Sequence, residues 1–232
     1  MPTISRLGPP DTRHASGLPQ IEPIILEARP DAFDDPDWVF EPKYDGFRGF
    51  VYASSLGCEI RSRRDLRFER FDELCSRISG VLEGRGAILD GEVVALNRQG
   101  KPVFRDLLRG QGFIAFAAFD LLWLDGRDLR RLPLSERKRL LGELLPEDTG
   151  PLYKILTLEE CGRALFSATR KMDLEGIVAK RKSDPYDART VWYKIKNPGY
   201  TQGEGRGELF RRRDRSRRPE APEHVAAEPE QQ

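Results

Sequence analysis

The sequence predicts an α+β fold in which antiparallel sheets are flanked by a few helices. Many short runs of apolar and β-branched residues have the length of strands. Only three segments repeat apolar residues at the three- and four-residue spacing of a helix. Because strands and helices do not alternate regularly along the chain, a parallel sheet built from βαβ units is not expected.

A single ordered domain is predicted over residues 21–202. Residues 1–20 are rich in Pro, Gly and polar side chains, which predicts a disordered lead-in. The strand-like runs lie at 38–40, 47–53, 59–62, 87–89, 92–96, 113–122, 152–156, 176–180 and 191–195.

Three helices are predicted between these strands. The first follows the apolar residues of 68–82, and the second is rich in leucine and follows Ser135, a residue type that caps helix N-termini. In the third, Thr157 and Glu160 fit a capping box ahead of a helix that ends near Lys171.

The C-terminal segment, residues 203–232, is predicted to be disordered. It loses apolar periodicity and contains an arginine-rich run at 211–218, followed by a stretch of Pro, Glu, Ala and Gln. The basic run has two interpretations, a phosphate-tracking arm whose binding weakens with salt or a solubilising end. The sequence leaves both open.

Composition argues for a soluble protein of the cytoplasm. The formal net charge is +1, which does not exclude a nucleic-acid partner because a basic face can be masked by acid elsewhere. The three cysteines are far apart and lack zinc-site spacing, so reduced thiols that pack as small apolar residues are expected. No secretory signal or apolar run of about 20 residues is present, and no membrane partner is expected.

The octapeptide 41–48, with the sequence EPKYDGFR, carries the strongest chemical signal. A predicted strand ends at Lys43, an Asp-Gly turn follows, and Arg48 opens the next strand. Neighbouring cations and loss of solvent would favour the neutral amine that a lysine nucleophile requires. The alternative is an ordinary hairpin with exposed charges.

Six segments together resemble the covalent nucleotidyltransferase family of DNA ligases, RNA ligases and mRNA capping enzymes. The segment from Lys43 to Arg48 resembles the KxDGxR signature of that family. Five more follow in the family's order: Arg61-Ser62-Arg63-Arg64, Leu89-Asp90-Gly91-Glu92-Val93-Val94, Phe119-Asp120-Leu121-Leu122, Glu175-Gly176-Ile177-Val178-Ala179-Lys180 and Trp192-Tyr193-Lys194-Ile195-Lys196. The resemblance covers roughly residues 23–210 and implies an ATP-grasp-like nucleotidyltransferase (adenylation) domain.

Segments 120–126 and 196–206 are most similar to bacterial ATP-dependent DNA ligases of the end-joining type. Ligases of this kind normally carry an OB-fold domain after the last lysine motif. Here a short polar tail follows Lys196, so the sequence departs from the full ligase pattern and we expect the OB-fold to be absent. That expectation puts nick sealing in doubt more than nucleotide binding.

The resemblance implies that Lys43 attacks the α-phosphorus of ATP and forms lysyl-AMP. Arg48, Arg63, Lys194 and Lys196 would balance the negative charge of the triphosphate, since phosphoryl-type transfer depends on positioning and charge stabilisation. Alternation along a strand places Lys194 and Lys196 on the same face.

For the metal and the nucleoside, the resemblance implies a set of carboxylates and apolar side chains. Glu175 would bind Mg²⁺ or Mn²⁺, with Asp45 and Glu92 assisting through water. Glu92 would accept hydrogen bonds from the ribose. Phe119 would stack on adenine, with Ile177 or Val178 closing the other face, and Glu41 would help to read the base.

Each assignment has a structural alternative. Phe119 could be plain core, and Glu175 could belong to a turn before a strand. Arg61 or Arg64 could replace Arg63, and Lys180 could contact phosphate or solvent. The runs 130–131 and 137–139 are predicted to be solvated basic faces.

Two functions follow from the sequence. The first is an ATP-dependent DNA ligase, or ligase-like adenylyltransferase, that activates a 5′-phosphate for joining to a 3′-hydroxyl in DNA repair. Its partners would be nicked or broken DNA and a partner protein that supplies DNA clamping. The alternative is a non-sealing accessory protein that binds nucleotide or DNA ends.

Overall fold

The computed structural model describes residues 17–146 and 150–203. The predicted disordered segments, 1–20 and 203–232, lie almost entirely outside the described residues, and so does the arginine-rich run. The elements described below belong to the first of two units, which ends at Tyr200. The domain limits 21–202 therefore stay a prediction.

Eleven strands, four α-helices and one short 3₁₀ helix (Glu69–Phe71) occupy the described part of the chain. The strands are β1 (Leu26–Ala28), β2 (Asp35–Lys43), β3 (Phe47–Ser54), β4 (Gly57–Ser62), β5 (Ala87–Leu96), β6 (Phe113–Leu124), β7 (Arg127–Asp128), β8 (Leu152–Lys154), β9 (Leu158–Glu160), β10 (Gly176–Arg181) and β11 (Trp192–Lys196). The helices are α1 (Asp72–Leu82), α2 (Phe104–Arg109), α3 (Leu134–Leu144) and α4 (Gly162–Lys171).

The strands form two sheets. One has the order β1-β11-β10-β2-β9, and the other has the order β4-β3-β5-β6-β7 with β8 paired to β6. Neighbouring strands are antiparallel except for the pairs β1–β11 and β6–β8. The predicted α+β class is confirmed.

The predicted strands 87–89 and 92–96 are one continuous strand, β5. It passes through Gly91, where an added Cβ would lie 2.3 Å from the ring of Phe116. The glycine thus leaves room for an aromatic side chain of β6, and the ladder shifts register there. The Asp-Gly pair in this segment is not a turn.

Two predicted helix starts are wrong. Helix α3 begins at Leu134 after Pro133, so Ser135 lies inside its first turn. The proposed capping box of Thr157 and Glu160 does not form, because Leu158–Glu160 pairs with β2 as strand β9 and α4 begins only at Gly162. Strand pairing overrides the local capping signal.

Three hydrophobic clusters hold the elements together. The first packs α1 onto the second sheet through Leu74, Cys75 and Ile78, and the second packs α4 onto the first sheet through Leu165. The third contains Tyr52 of β3 and Trp192 of β11, so it joins the two sheets directly. The predicted active-site segments lie around this junction.

None of the helices in the described part of the chain has the length and apolar character that a membrane crossing requires. The three cysteines are free thiols, as expected. Cys75 is buried in the core and Cys58 packs against it, whereas Cys161 is exposed.

Gly176 is expected to be the residue of β10 most sensitive to substitution. Its φ is +143°, and an added Cβ would lie 2.0 Å from the carbonyl oxygen of Ile195. Gly176→Ala should therefore lower the free energy of unfolding by roughly 2–4 kcal/mol, measured by urea denaturation. Gly142→Ala is the matched control: its added methyl group meets no atom within 4 Å in α3 and should stabilise by about 0.5–1 kcal/mol. Equal stabilities for the two variants would contradict this account.

Candidate active site

The segment KYDGFR connects the two sheets and is not a hairpin. Lys43 ends β2 in the first sheet, and Phe47 begins β3 in the second. Gly46 is required for close approach, because an added Cβ would lie 2.2 Å from the carbonyl oxygen of Val93. The alternative of an ordinary surface hairpin is excluded.

Lys43 and Glu175 form an ion pair at the edge of the first sheet. Gly176 lies opposite Lys43 on one side and opposite Lys196 on the other, so the ends of three strands meet in one row. Lys43 Nζ lies 2.5 Å from Glu175 Oε2, and the lysine side chain is 18% exposed. The structure thus brings the proposed nucleophile and the proposed metal ligand together.

The surroundings of Lys43 differ from the sequence prediction. Cations were expected to hold the amine neutral, but its close partner is the carboxylate of Glu175. The guanidinium of Arg48, which was expected to supply such a cation, is bound to Asp90 instead. The group closest to Lys43 is therefore an acid and not a cation.

A cleft of about 430 Å³, including the open space at its mouth, lies beside Lys43. Its polar lining includes Glu41, Lys43, Arg48, Glu92 and Lys180. Leu26, Phe119, Ile155, Val178 and Trp192 supply apolar walls. Apolar walls with a few convergent polar groups are typical of a ligand site.

Phe119 lies at the cleft with Trp192 and Lys180. The rings of Phe119 and Trp192 meet edge to face with centroids 5.9 Å apart. Lys180 Nζ lies 4.1 Å from the centroid of Phe119 and 4.0 Å from that of Trp192. Lys180 is buried, so the alternative of a solvent-facing lysine is wrong. Burial lowers the pKa of Lys180 to about 8, and Glu41 opposes that shift.

Arg48 is fixed by a bidentate ion pair with Asp90. Its Nε and Nη2 lie 3.1 and 2.8 Å from the two carboxylate oxygens, and Nη1 donates to the Ile24 carbonyl at 2.7 Å. The hydroxyl of Tyr186 donates to Asp90 Oδ2 at 2.7 Å. Although burial opposes it, the contact with Asp90 raises the pKa of Arg48 above its usual value. The guanidinium is therefore a fixed positive charge at the cleft wall.

Glu92 lines the cleft opposite Arg48 in the β3–β5 ladder. Burial raises the pKa of Glu92 to about 8. Lys43 and Arg48 oppose this shift, whereas the carboxylates of Glu175 and Asp45 add to it. The carboxylates predicted to serve ribose and metal are therefore close enough to interact electrostatically.

Glu92 should make the stability of the protein depend on pH. The folded state binds this proton more tightly than the unfolded chain, so its contribution is complete below pH 4.5 and is lost as pH rises through about 8. Between pH 6 and 8 the stability of wild type relative to Glu92→Gln should fall by about 2 kcal/mol and then level off. Urea unfolding of both proteins in chelator measures this, and a difference that does not vary with pH would contradict it.

Glu41 lies at the inner end of the cleft and is buried. Its Oε1 accepts hydrogen bonds from Lys138 Nζ of α3 and, at 3.3 Å, from the hydroxyl of Thr157. Its Oε2 lies 2.7 Å from Lys180 Nζ, in an ion pair whose angles are not those of a hydrogen bond. The carboxylate is therefore fixed by surrounding donors.

The sequence prediction for Ile177 is corrected. Ile177 is fully buried in the core cluster with Phe40 and Ile195, on the face of β10 that turns away from the cleft. Val178 lines the cleft, in register with Glu41 on β2. Strand alternation thus makes Val178 the residue that can close the face opposite Phe119.

The two lysines of β11 reach different partners. Lys196 is largely exposed, and its Nζ lies 3.9 Å from Glu175 Oε1. Lys194 Nζ donates to the carbonyl of Leu26 at 3.1 Å. Lys196 is therefore near the Lys43–Glu175 pair, whereas Lys194 is held at the β1 side of the sheet.

Asp45 and Arg63 have contrasting positions. Asp45 is buried, and its Oδ2 accepts a hydrogen bond from the Tyr200 hydroxyl at 3.1 Å. Arg63 is exposed in the turn after β4 and does not line the cleft. Arg61, the alternative to Arg63, is held by Glu59 and Asp65. The structure thus does not bring Arg63 to the other site residues.

The basic run 137–139 was predicted to be solvated, and this is wrong for two of its residues. Arg137 is fully buried and forms a bidentate ion pair with Asp120, next to Phe119. Lys138 reaches Glu41, and only Arg139 is exposed. The leucine spacing predicted helix α3, but it did not show which of the basic side chains point toward the interior of the protein.

The carboxylates fit a divalent cation of the kind that prefers oxygen ligands. Among the described residues, no three Asp, Glu, His or Cys side chains are grouped closely enough to enclose a metal. Mg²⁺ usually keeps several waters and needs only one or two carboxylates. Glu175 matches that requirement, since the carboxylates of Glu92 and Asp45 lie near enough for Glu175 and Asp45 to raise the pKa of Glu92.

Solved structures have a similar fold. One is a mycobacterial DNA ligase D complexed with ATP and MES, with a TM-score of 0.67, 30% identity, and coverage of 75% of this chain and 60% of that one. The ligase domain of M. tuberculosis LigD has a TM-score of 0.66 and 30% identity, with coverage of 75% of this chain and 58% of that one. The two sheets and the lysine-bearing cleft between them thus define a ligase nucleotidyltransferase domain.

Sequence comparison supports the same class. The family model described as the ATP dependent DNA ligase domain matches residues 23–196. The chain belongs to this family. The multifunctional non-homologous end joining protein LigD of Mycolicibacterium smegmatis is 33% identical over 72% of this chain and 24% of its own length. The SPbeta prophage-derived DNA ligase-like protein LigB of Bacillus subtilis is 26% identical over 78% of this chain and 69% of its own length. The chain thus spans about a quarter of LigD.

Proposed function

We propose that this domain captures AMP from ATP on Lys43 and passes it to a DNA 5′-phosphate for joining to a 3′-hydroxyl, in end-joining repair. The observation that carries the proposal is the Lys43–Glu175 pair at 2.5 Å, placed at a cleft lined by Arg48, Glu92 and Phe119. A nucleophile, a fixed cation, carboxylates and an aromatic ring are the groups that adenylyl transfer needs.

In the first step, Lys43 Nζ bonds to the α-phosphorus of ATP while the bond from that phosphorus to the bridging oxygen breaks, and pyrophosphate leaves. The amine loses its proton to the adjacent carboxylate or to water. Arg48, held by Asp90, balances charge on the phosphates, and Lys196 adds a second cation from β11. Arg63 and Lys194 can take part only after moving from their positions in this structure.

The nucleoside would lie between Phe119 and Val178, with Glu92 accepting from the ribose and Glu41 from the base. Glu175 would hold Mg²⁺ or Mn²⁺, with Asp45 and Glu92 nearby. When bound, the cation would neutralise charge on the phosphates. Lys180 Nζ lies 4.1 Å from the centroid of the Phe119 ring. A base that stacks on that same face of the ring would have to displace the ammonium group or lie beside it.

The test is incubation with α-labelled ATP and Mg²⁺, followed by denaturation and detection of label on the polypeptide. Label retained on the denatured chain is expected, and we call this covalent loading with AMP charging. No label under conditions in which an established ligase is charged with AMP would refute the proposal. A nicked duplex added to the charged protein then tests sealing. Charging without sealing would restrict the function to adenylation and AMP transfer.

A further inference from the structure

Helix α3 ties the two walls of the cleft together. Its Arg137 pairs with Asp120, the neighbour of Phe119 on β6, in the second sheet. Its Lys138 pairs with Glu41 on β2, in the first sheet. Because Arg137 also donates to the carbonyls of Leu132 and Asp184, the start of this helix is firmly anchored. Lys138 therefore approaches Glu41 from a rigid support.

Glu41 lines the cleft, and its contacts leave it with spare acceptor capacity. A carboxylate has about four lone-pair sites. In the described structure, Lys138 and Thr157 both use Oε1, and Lys138 also donates to the Thr157 hydroxyl at 3.2 Å. Oε2 lies 2.7 Å from Lys180 Nζ, its one contact in the described structure. Because each carboxylate oxygen has two lone pairs, Oε2 can accept one further donor from a ligand.

The two purine bases differ at the group that would meet this oxygen. Adenine carries an exocyclic amine, which donates, whereas guanine carries a carbonyl oxygen at the same ring position, which accepts. A carboxylate held still pairs with the amine and repels the carbonyl. If Glu41 could move, the ammonium groups of Lys138 and Lys180 would become available to the guanine oxygen. Discrimination therefore depends on keeping Glu41 in place.

We propose that Lys138 is a specificity-determining positioning residue, which holds Glu41 so that the cleft accepts ATP and rejects GTP. The inference rests on the proposed function, because it takes Glu41 to face the base of a bound nucleotide. Lys138 acts through Glu41 and does not touch the reacting atoms at Lys43 and Glu175.

The test compares charging by labelled ATP and by labelled GTP in wild type and in Lys138→Met. The ratio of kcat/KM for ATP over GTP should fall roughly 10- to 100-fold, the range for loss of a buried charge-assisted hydrogen bond. The loss should appear as a higher KM for ATP, with kcat nearly unchanged. Lys138→Arg should restore part of the ratio, and Thr157→Val, which removes a longer bond, should lower it only a few-fold.

Arg139→Gln is the matched control, because Arg139 is the next residue of α3 but is exposed and pairs with Glu136. It should leave both rates and the ratio unchanged. An unchanged ratio in Lys138→Met, with wild type charging normally, would overturn the inference and leave the proposed function intact. An equal loss for both nucleotides would also overturn it, because that result indicates a purely structural role. If wild type is charged by neither nucleotide, the proposed function fails and this inference fails with it.

Discussion

Replacing Lys43 by alanine is expected to abolish formation of the covalent AMP adduct, with a rate loss of roughly 1,000-fold or more. The physical reason is that the Lys43 amine is the nucleophile of the proposed step, and no bond to phosphorus forms without it. Label retained on the denatured polypeptide, or the mass of one added AMP, measures the adduct. The other residues that line the cleft remain in the variant, so noncovalent ATP binding should persist.

Lys43→Arg is the sharper form of this experiment. A guanidinium keeps the positive charge beside Glu175 but stays protonated and cannot attack phosphorus. Neither variant should form the AMP adduct. Lys182→Ala, which removes a lysine that pairs with Glu159 of β9, should form it like wild type. An adduct of wild-type yield in Lys43→Ala would place the nucleophile elsewhere.

Glu175→Ala is expected to reduce metal-dependent charging by roughly 100- to 1,000-fold while the protein stays folded. The substitution removes the carboxylate that contacts Lys43 and lies 3.9 Å from Lys196. It therefore removes both the expected oxygen ligand of the cation and the group that fixes the nucleophile. The measurement is the single-turnover charging rate over a range of Mg²⁺ and Mn²⁺ concentrations, with a circular dichroism melt to confirm folding.

Glu159→Ala serves as the control, because Glu159 is an exposed glutamate of β9 in the same sheet and pairs only with Lys182 among the contacts described. It should be charged at the wild-type rate. Normal charging by Glu175→Ala at all metal concentrations would remove Glu175 from the site. Recovery at high metal concentration would instead assign it a metal-binding role without a role in positioning Lys43.

The KxDGxR segment shows what local sequence can predict and what it cannot. It identified Lys43 and the strand that follows, but an Asp-Gly pair usually marks a hairpin, and here the chain crosses to another sheet. Gly46 is needed because the backbone of β5 passes close by, and β5 lies more than 40 residues away in sequence. The residues around Gly46 in the sequence give no indication of this contact.

The choice between Ile177 and Val178 shows a second limit. Both residues are β-branched and adjacent in one motif, and alternation puts them on opposite faces. Which face meets the cleft depends on the packing of α4, whose Leu165 covers the side of the sheet that holds Ile177. The motif alone could not supply that information.

The roles of Arg137 and Lys138 were also hidden in the sequence. A run of basic residues on a leucine-rich helix usually faces solvent, and solvation is the default for such charges. Here Asp120 and Glu41 offset the cost of burying them, and these partners lie 17 and 97 residues away along the chain. Only a Glu or Asp within helical reach could have signalled such a pairing locally.

The sequence by itself determined the α+β class, the positions of most strands along the chain and the six motifs that mark the cleft. These depend on residue type and short-range spacing. The tertiary structure decided which charged groups meet. It placed Lys43 against Glu175 instead of among cations, fixed Arg48 on Asp90, and left Arg63 in an exposed turn. Charge pairing depends on distances between strands that are far apart in the chain, and only the packing of the two sheets sets those distances.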